Sequence, residues 1–147
     1  MPWRATGTDY VPVFLLCASG GIKPPVWDQR DEFGDTNRRV CKPEEGASLA
    51  RALGSHWMVL MKRHGVTVAG TSVRDCVFRS VFSARNAEFQ VRALMIGGPI
   101  ASLTPGETKL AGQITGNTTG LTRPWETWSS RAGRRPRLNP TPPVPSL

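Results

Sequence analysis

The chain opens its readable pattern with a nearly unbroken apolar, β-prone run from Tyr10 to Cys17, which stops at the breaker Ser19-Gly20-Gly21. The spacing predicts a buried strand over 10–17. From Ile22 to Val40 no period persists. Pro24-Pro25 and the density of Asp, Gly and Arg predict an ordered loop with local hydrogen bonds and one short strand at Val26-Trp27. Pro43-Glu44-Glu45 opens a helix, since proline suits the first turn and carboxylates suit the positive helix end. Ala47, Leu49, Ala50 and Leu53 are its expected apolar face, and Gly54 its close. His56 to Met61 reads as a strand, Lys62-Arg63-His64-Gly65 as a polar turn, and Val66 to Ala69 as the next strand, which together predict an antiparallel hairpin. Ser72 with Asp75 three residues on resembles a capping box. A long helix should follow to about Met95, with Val77, Phe78, Val81, Phe82, Ala84, Phe89, Val91 and Leu94 recurring at helical steps. Gly97-Gly98-Pro99 ends it. Thr104-Pro105-Gly106-Glu107 predicts another helix, weakened by Gly112 and Gly116, and Pro124-Trp125 a last short one closed by Gly133.

This order of elements implies α/β layers, with helices covering a mixed or antiparallel sheet. The strands are few, so an edge is left open, and a chain that begins in mid-sheet is an oligomer or a fragment. Composition refines the picture little. At 147 residues, 39% hydrophobic and 20% charged, the chain fits one globular domain over 1–133, followed by a disordered Pro/Arg-rich tail over 134–147. The formal net charge of +8 points towards anionic partners in general, but much of the excess lies in Arg123, Arg131, Arg134, Arg135 and Arg137. Without a basic stripe in the body, this reads as a solvated tail, and nucleic acid is not the expected partner.

Cys17, Cys41 and Cys76 are odd in number and widely spaced, which argues against a disulfide scaffold or a cysteine zinc site and for a reducing, cytoplasmic location. No run of about eighteen apolar residues predicts a membrane span. The 11–19 stretch is too short for a signal-peptide core and lacks a convincing cleavage site. Chemistry is sparse. His64, at the tip of the hairpin beside a glycine, is the first candidate for a ligand or base, against the plainer reading of a solvent-exposed turn residue. His56 reads as a surface or cap residue. Glu44-Glu45 and Asp31-Glu32 read as solvated faces, since adjacent carboxylates point apart. No His-x-His, H-E-x-x-H or G-x-S-x-G motif occurs, and 116–120 lacks the lysine of a phosphate loop. Trp125 and Trp128, at helical spacing, read as packing anchors.

Val59 to Ser72, with its strand, His64-Gly65 corner, second strand and Gly70-Thr71-Ser72, resembles the corresponding segment of the class II aldolase/adducin family, and Arg85 to Gln90 is similar to the helix that follows it there. Val26 to Thr36, Gly98 to Glu107 and Arg123 to Trp128 look more narrowly like the branch of decarboxylases acting on carboxylated muconic semialdehydes or dihydroxyphthalates. The likeness runs over roughly residues 8 to 133. It implies a three-layer α/β/α sandwich with a central, mostly antiparallel sheet, incomplete here on its N-terminal side. It also implies a divalent metal (zinc, alternatively manganese or magnesium) held by three histidines, which stabilises the enolate formed when a C–C bond breaks. His64 matches the third histidine. The His-x-His pair and the acid/base residue lie upstream in the family, and this chain starts after them.

The expectation is therefore a class II aldolase-like protein descended from a metal-dependent lyase, with a small carboxylated or hydroxylated substrate, incomplete or impaired as this chain alone, and homo-oligomeric as in the family. The alternative is a non-catalytic interaction module like the adducin head, and after it a nucleic-acid binder acting through the basic tail.

Overall fold

Four consecutive apolar residues, Met58 to Met61, form the strand around which the rest is arranged. The computed structural model describes residues 8–133. Along the chain they form a 3-10 turn (Leu15–Gly20), β1 (Val26–Trp27), α1 (Arg30–Phe33), α2 (Pro43–Leu53), β2 (Met58–Met61), β3 (Gly65–Val68), α3 (Val73–Ile96), α4 (Pro105–Thr115) and α5 (Thr118–Gly133). β2 lies in the middle of a three-stranded sheet, parallel to β1 (Val26 opposite Leu60) and antiparallel to β3 (Leu60 opposite Val66). The sheet is mixed.

All four residues of β2 are buried because both of its faces are covered. Side chains alternate along a strand, so Met58 and Leu60 pack with Tyr10, with Ala87 and Val91 of α3, and with Val66 and Val68 of β3. Val59 and Met61 turn the other way, to Trp27, Phe33 and Val40 and to Leu49 and Leu53 of α2. The hairpin, the short strand at Val26–Trp27, and the helices opening at Pro43, Ser72 and Thr104 all stand where the sequence predicts them.

Four expectations need correction. The run over 10–17 is not a strand. It is extended as far as Phe14 and then winds into the 3-10 turn, and its backbone is paired by side-chain amides of α3 in place of a neighbouring strand. Asn86 Oδ1 accepts from Val13 N (2.8 Å) and its Nδ2 donates to Val11 O (2.7 Å). Gln90 Oε1 accepts from Val11 N (3.1 Å) and its Nε2 donates to Asp9 O (2.7 Å). Asn86 and Gln90 lie one helical turn apart, so they meet the extended chain as a two-rung ladder. Second, α3 buries a largely polar face (Asp75, Arg79, Ser83, Asn86 and Gln90 beside Phe78 and Ala87), while Phe89 and Leu94 of the expected apolar set are exposed. Phe14 packs edge-on against Phe82 and Phe89, and Phe82 also meets Phe78 and Trp128. Third, Glu45 and Ser48 are the buried residues of α2, whereas Ala47 and Ala50 face outward. Fourth, the last helix starts at Thr118, not at Pro124. Asn117 caps it, Oδ1 accepting from Gly120 N at 2.8 Å. Gly120 is required there by close packing, since a Cβ would stand 2.7 Å from Thr115 O.

The predicted tail over 134–147, with Arg134, Arg135 and Arg137, lies outside the described residues. Among those described, no helix is long and apolar enough to cross a membrane.

The amide ladder makes a direct prediction. Asn86→Ala removes both of its hydrogen bonds and leaves a backbone N–H and a carbonyl of the N-terminal run unpaired, at a cost of about 2–3 kcal/mol. Met95→Ala, at a residue of the same helix that is 81% exposed, is expected to cost less. Urea unfolding of both variants checks the order.

Candidate functional site

The hairpin between β2 and β3 turns through Lys62, Arg63 and His64. Two backbone bonds fix it: His64 N donates to Met61 O (3.1 Å), and Lys62 N donates across to Trp27 O of β1 (2.8 Å). Arg63 takes φ +59°, the left-handed conformation that costs a side-chain-bearing residue of the order of 1 kcal/mol. His64 follows it, exposed at the tip. It lines a depression of about 440 Å³, whose other wall is Arg39, Val40 and Cys41, with Met61 and Thr67 among the remaining residues.

Asp28 ties the two walls together. It directly follows β1 and is only 8% exposed, yet four donors reach its carboxylate. Arg63 Nη2 lies at 2.6 Å, Arg38 Nη1 at 3.1 Å, Lys62 Nζ at 3.3 Å and Arg30 N at 3.2 Å. Burial by itself would raise the pKa of this carboxyl. The N–H of Arg30 and the three cations outweigh burial and hold it well below the usual carboxylate range. Arg38, like Arg63, has a positive φ (+68°), so Asp28 binds the two described non-glycine residues with left-handed backbones, one from each loop. Gln29 reinforces the first loop, its Nε2 donating to Arg39 O (3.2 Å) and its Oε1 accepting from Thr36 Oγ1 (2.8 Å).

The predicted acidic pairs have separate structural duties. Glu45 is buried, contrary to the solvated face expected, and accepts from Cys41 N and Lys42 N, which hold its pKa below the ordinary value. Glu32 receives Ser48 Oγ (2.6 Å) and Arg51 Nη2 (2.9 Å), while Asp31 and Glu44 are exposed. His56 stands before β2, at the far end of the strand from His64, exposed and with Nδ1 3.2 Å from Leu53 O. The structure thus separates the two histidines. Trp128 packs on Phe82, as an anchor should, and Trp125 lies under the Arg74 guanidinium. The 116–120 stretch is a helix junction. The three cysteines are free, and burial pushes the Cys17 thiol up.

Whether these donors suit a three-histidine metal centre can be read from the residues themselves. Within the depression His64 is accompanied by one other metal-binding side chain, Cys41, and Asp28 is already committed to its cations. Among the described residues no three of His, Cys, Asp and Glu form a group able to hold an ion. The donor set at this corner does not fit such a centre unaided.

The family model for the class II aldolase and adducin N-terminal domain matches residues 13–91, more than half of the chain. The chain belongs to the class II aldolase and adducin family. None of the curated proteins compared matches it. The matched span runs from the run at Val13 through both loops tied by Asp28, the hairpin with His64 and most of α3. Sequence reasoning singled out His64 and passed over Asp28, Asn86 and Gln90. Asp28 is one of four acids between Val26 and Arg39, and its three cationic partners lie ten or more residues away.

Because the pKa of folded Asp28 lies below its ordinary 3.8, the charge contributes stability that is fully present above that value and lost as pH falls below it. Asp28→Asn should destabilise the protein at pH 7 by about 1–3 kcal/mol, the range for a buried charged hydrogen-bonding group whose partners are partly solvated. The gap between wild type and variant should close as pH falls below 3.8, which unfolding curves measured from pH 7 to pH 2.5 would show.

Proposed function

We propose that this protein is a class II aldolase-type scaffold of lyase descent, from the decarboxylase-like branch of the family, and that this chain alone does not assemble the metal-dependent active site. The carrying observation is the corner itself. His64 sits on the hairpin where the family's third metal histidine stands by resemblance, and one thiol is its only companion donor in the depression. In the proposed fold the sheet, with α2 on one face and α3 on the other, is the centre of the family's three-layer sandwich. A divalent ion, zinc before manganese or magnesium, would supply Lewis acidity when the missing donors are present. The substrate would be a small carboxylated or hydroxylated molecule. Arg38, Lys62 and Arg63 converge on the carboxylate of Asp28, and Arg39 lines the depression, so the corner carries an excess of positive charge, which supports an anionic one. Free cysteines support a reducing, cytoplasmic setting.

A second reading, a non-catalytic interaction module, is favoured by the apolar end of α3. Met95 and Ile96 are more than 80% exposed, with Leu94 and Phe89 beside them on the same helix. A patch of this kind marks an association surface and supports the homo-oligomer that the family resemblance implies.

Metal content separates the possibilities. After dialysis against zinc at micromolar concentration, elemental analysis should find well under one equivalent per wild-type chain and less still in His64→Ala, since each absent ligand removes much of the binding free energy. Near-stoichiometric zinc lost in the variant would mean that the site is completed and the chain competent. Zinc unaffected by the substitution would remove His64 from the account.

A further inference from the structure

The sheet ends at β3. β2 lies on one side of it, and no strand among the described residues lies on the other. The register decides which backbone groups reach that open side. Thr67 stands opposite Val59 and Gly65 opposite Met61, and Ala69 N donates to Trp57 O at 2.8 Å, one step further along the same ladder. Bonded positions alternate in an antiparallel pair. Gly65, Thr67 and Ala69 therefore turn their backbone groups towards β2, and Val66 and Val68 turn theirs outward. Among the described residues no backbone group pairs with Val66 or Val68 on that side. Val68 O meets the Cys76 thiol, a weak donor, at 3.5 Å, and keeps its second lone pair.

Open edges are normally guarded by charge, by proline or by a bulge. The stretch from Gly65 to Gly70 has none of these. It contains no charged residue and no proline, and its register with β2 runs unbroken from Gly65 opposite Met61 to Val68 opposite Met58. β2 is buried throughout, whereas all four residues of β3 are half-buried. Val66 and Val68 pack on the cluster of Met58 and Leu60 with part of their surface still uncovered.

The order of residues along the edge indicates what fits it. Centred on Thr67, it reads nearly the same in both directions, with Val66 and Val68 next to the centre and Gly65 and Ala69 beyond them. A second copy laid antiparallel about a two-fold axis at Thr67 sets Thr67 opposite Thr67 and each Val66 opposite a Val68. Both valine pairs then fall at bonded positions and exchange two hydrogen bonds each. The paired valines also join the α3-side cores of the two copies across the new edge. A strand of unrelated sequence would gain the backbone bonds alone.

We infer that β3 is a dimerisation edge, at which two copies of this chain pair antiparallel about Thr67 into one continuous sheet. The pairing depends on the sheet alone, not on His64 or on any metal, and it uses a surface other than the apolar end of α3. It sets His64 opposite Gly70 of the other copy, so the two His64 residues stand about 20 Å apart along the strands. Each depression keeps its single histidine.

The test uses the full chain. Two valine pairs and their backbone bonds make a small contact, so sedimentation equilibrium over about 10–500 μM should show a reversible dimer. Thr67→Lys and Thr67→Glu should each weaken it at least about fivefold, because like charges then stand directly opposite, and an equimolar mixture of the two variants should recover the lost affinity. Thr67→Cys is the smaller change and tests the same register without adding a charge. Combined with Cys41→Ser and Cys76→Ser, it should cross-link between copies when treated with diamide, since opposite residues at a non-bonded position stand about 4.5 Å apart at Cα, within disulfide reach. Intact mass without reductant reads the yield. Met95→Asp should leave the dimer unchanged. A wild-type chain monomeric over the whole range, a dimer indifferent to charge at 67, or no cross-link at 67 would each overturn the pairing. So would a dimer lost in Met95→Asp and kept in both charge variants, which would place association on α3 instead.

Discussion

The carboxylate of Asp28 is the point at which the His64 corner is held to the rest of the molecule. It leaves β1 already buried, and three cations from two separate loops converge on it. Two of them, Arg38 and Arg63, hold backbone conformations that only glycine adopts freely. Local propensity would not keep either loop in that shape. A buried negative charge does, because removing it leaves two strained turns and three like charges crowded together. The depression between Arg39–Cys41 and His64 exists because those two loops are tied. The position of His64 is thus decided by a residue outside the lining of the depression.

Much of the scaffold could be read in the sequence, and what could be read was local. The hairpin around His64-Gly65, the helix starts at Pro43, Ser72 and Thr104, and the two-residue strand at Val26–Trp27 each carry their signal within a few residues. What was misread is non-local. The Tyr10–Cys17 run has the composition of a strand, and Pro12 does not exclude one, but its hydrogen bonds come from Asn86 and Gln90, more than seventy residues on. Period counting treats polar positions on α3 as its solvent face, and here several of them are the core face. Asn86 is wholly buried, as are Gln90 and Ser83 to within 2%. Pro124 looked like a helix start because proline favours the first turn. The true start was hidden by Gly116 and Gly120, which serve tight packing and not chain reversal.

The site was legible only in part, for the same reason. His64 stands out as one of two histidines on a rigid corner. Asp28, by contrast, is one acid among several, and nothing in its neighbours reports that it is buried. Family membership explains why the corner is built with such care, since the matched span covers every element that positions it. The same elements provide one imidazole and one thiol at the depression. The apolar end of α3 is left exposed at Met95 and Ile96, and a hollow lined by Trp57 lies at the end of β2 remote from His64.

The most direct measurement is zinc K-edge X-ray absorption of the zinc-loaded protein, which counts imidazole ligands by their multiple-scattering signature. His56 and His64, the only histidines of the chain, stand at opposite ends of β2. One imidazole per zinc, with the remaining shell made of oxygen or a single sulfur, is the expected result. Two or more imidazoles per zinc would mean that copies of the chain pool their histidines into a complete centre, and would contradict a scaffold that lacks its metal chemistry when alone.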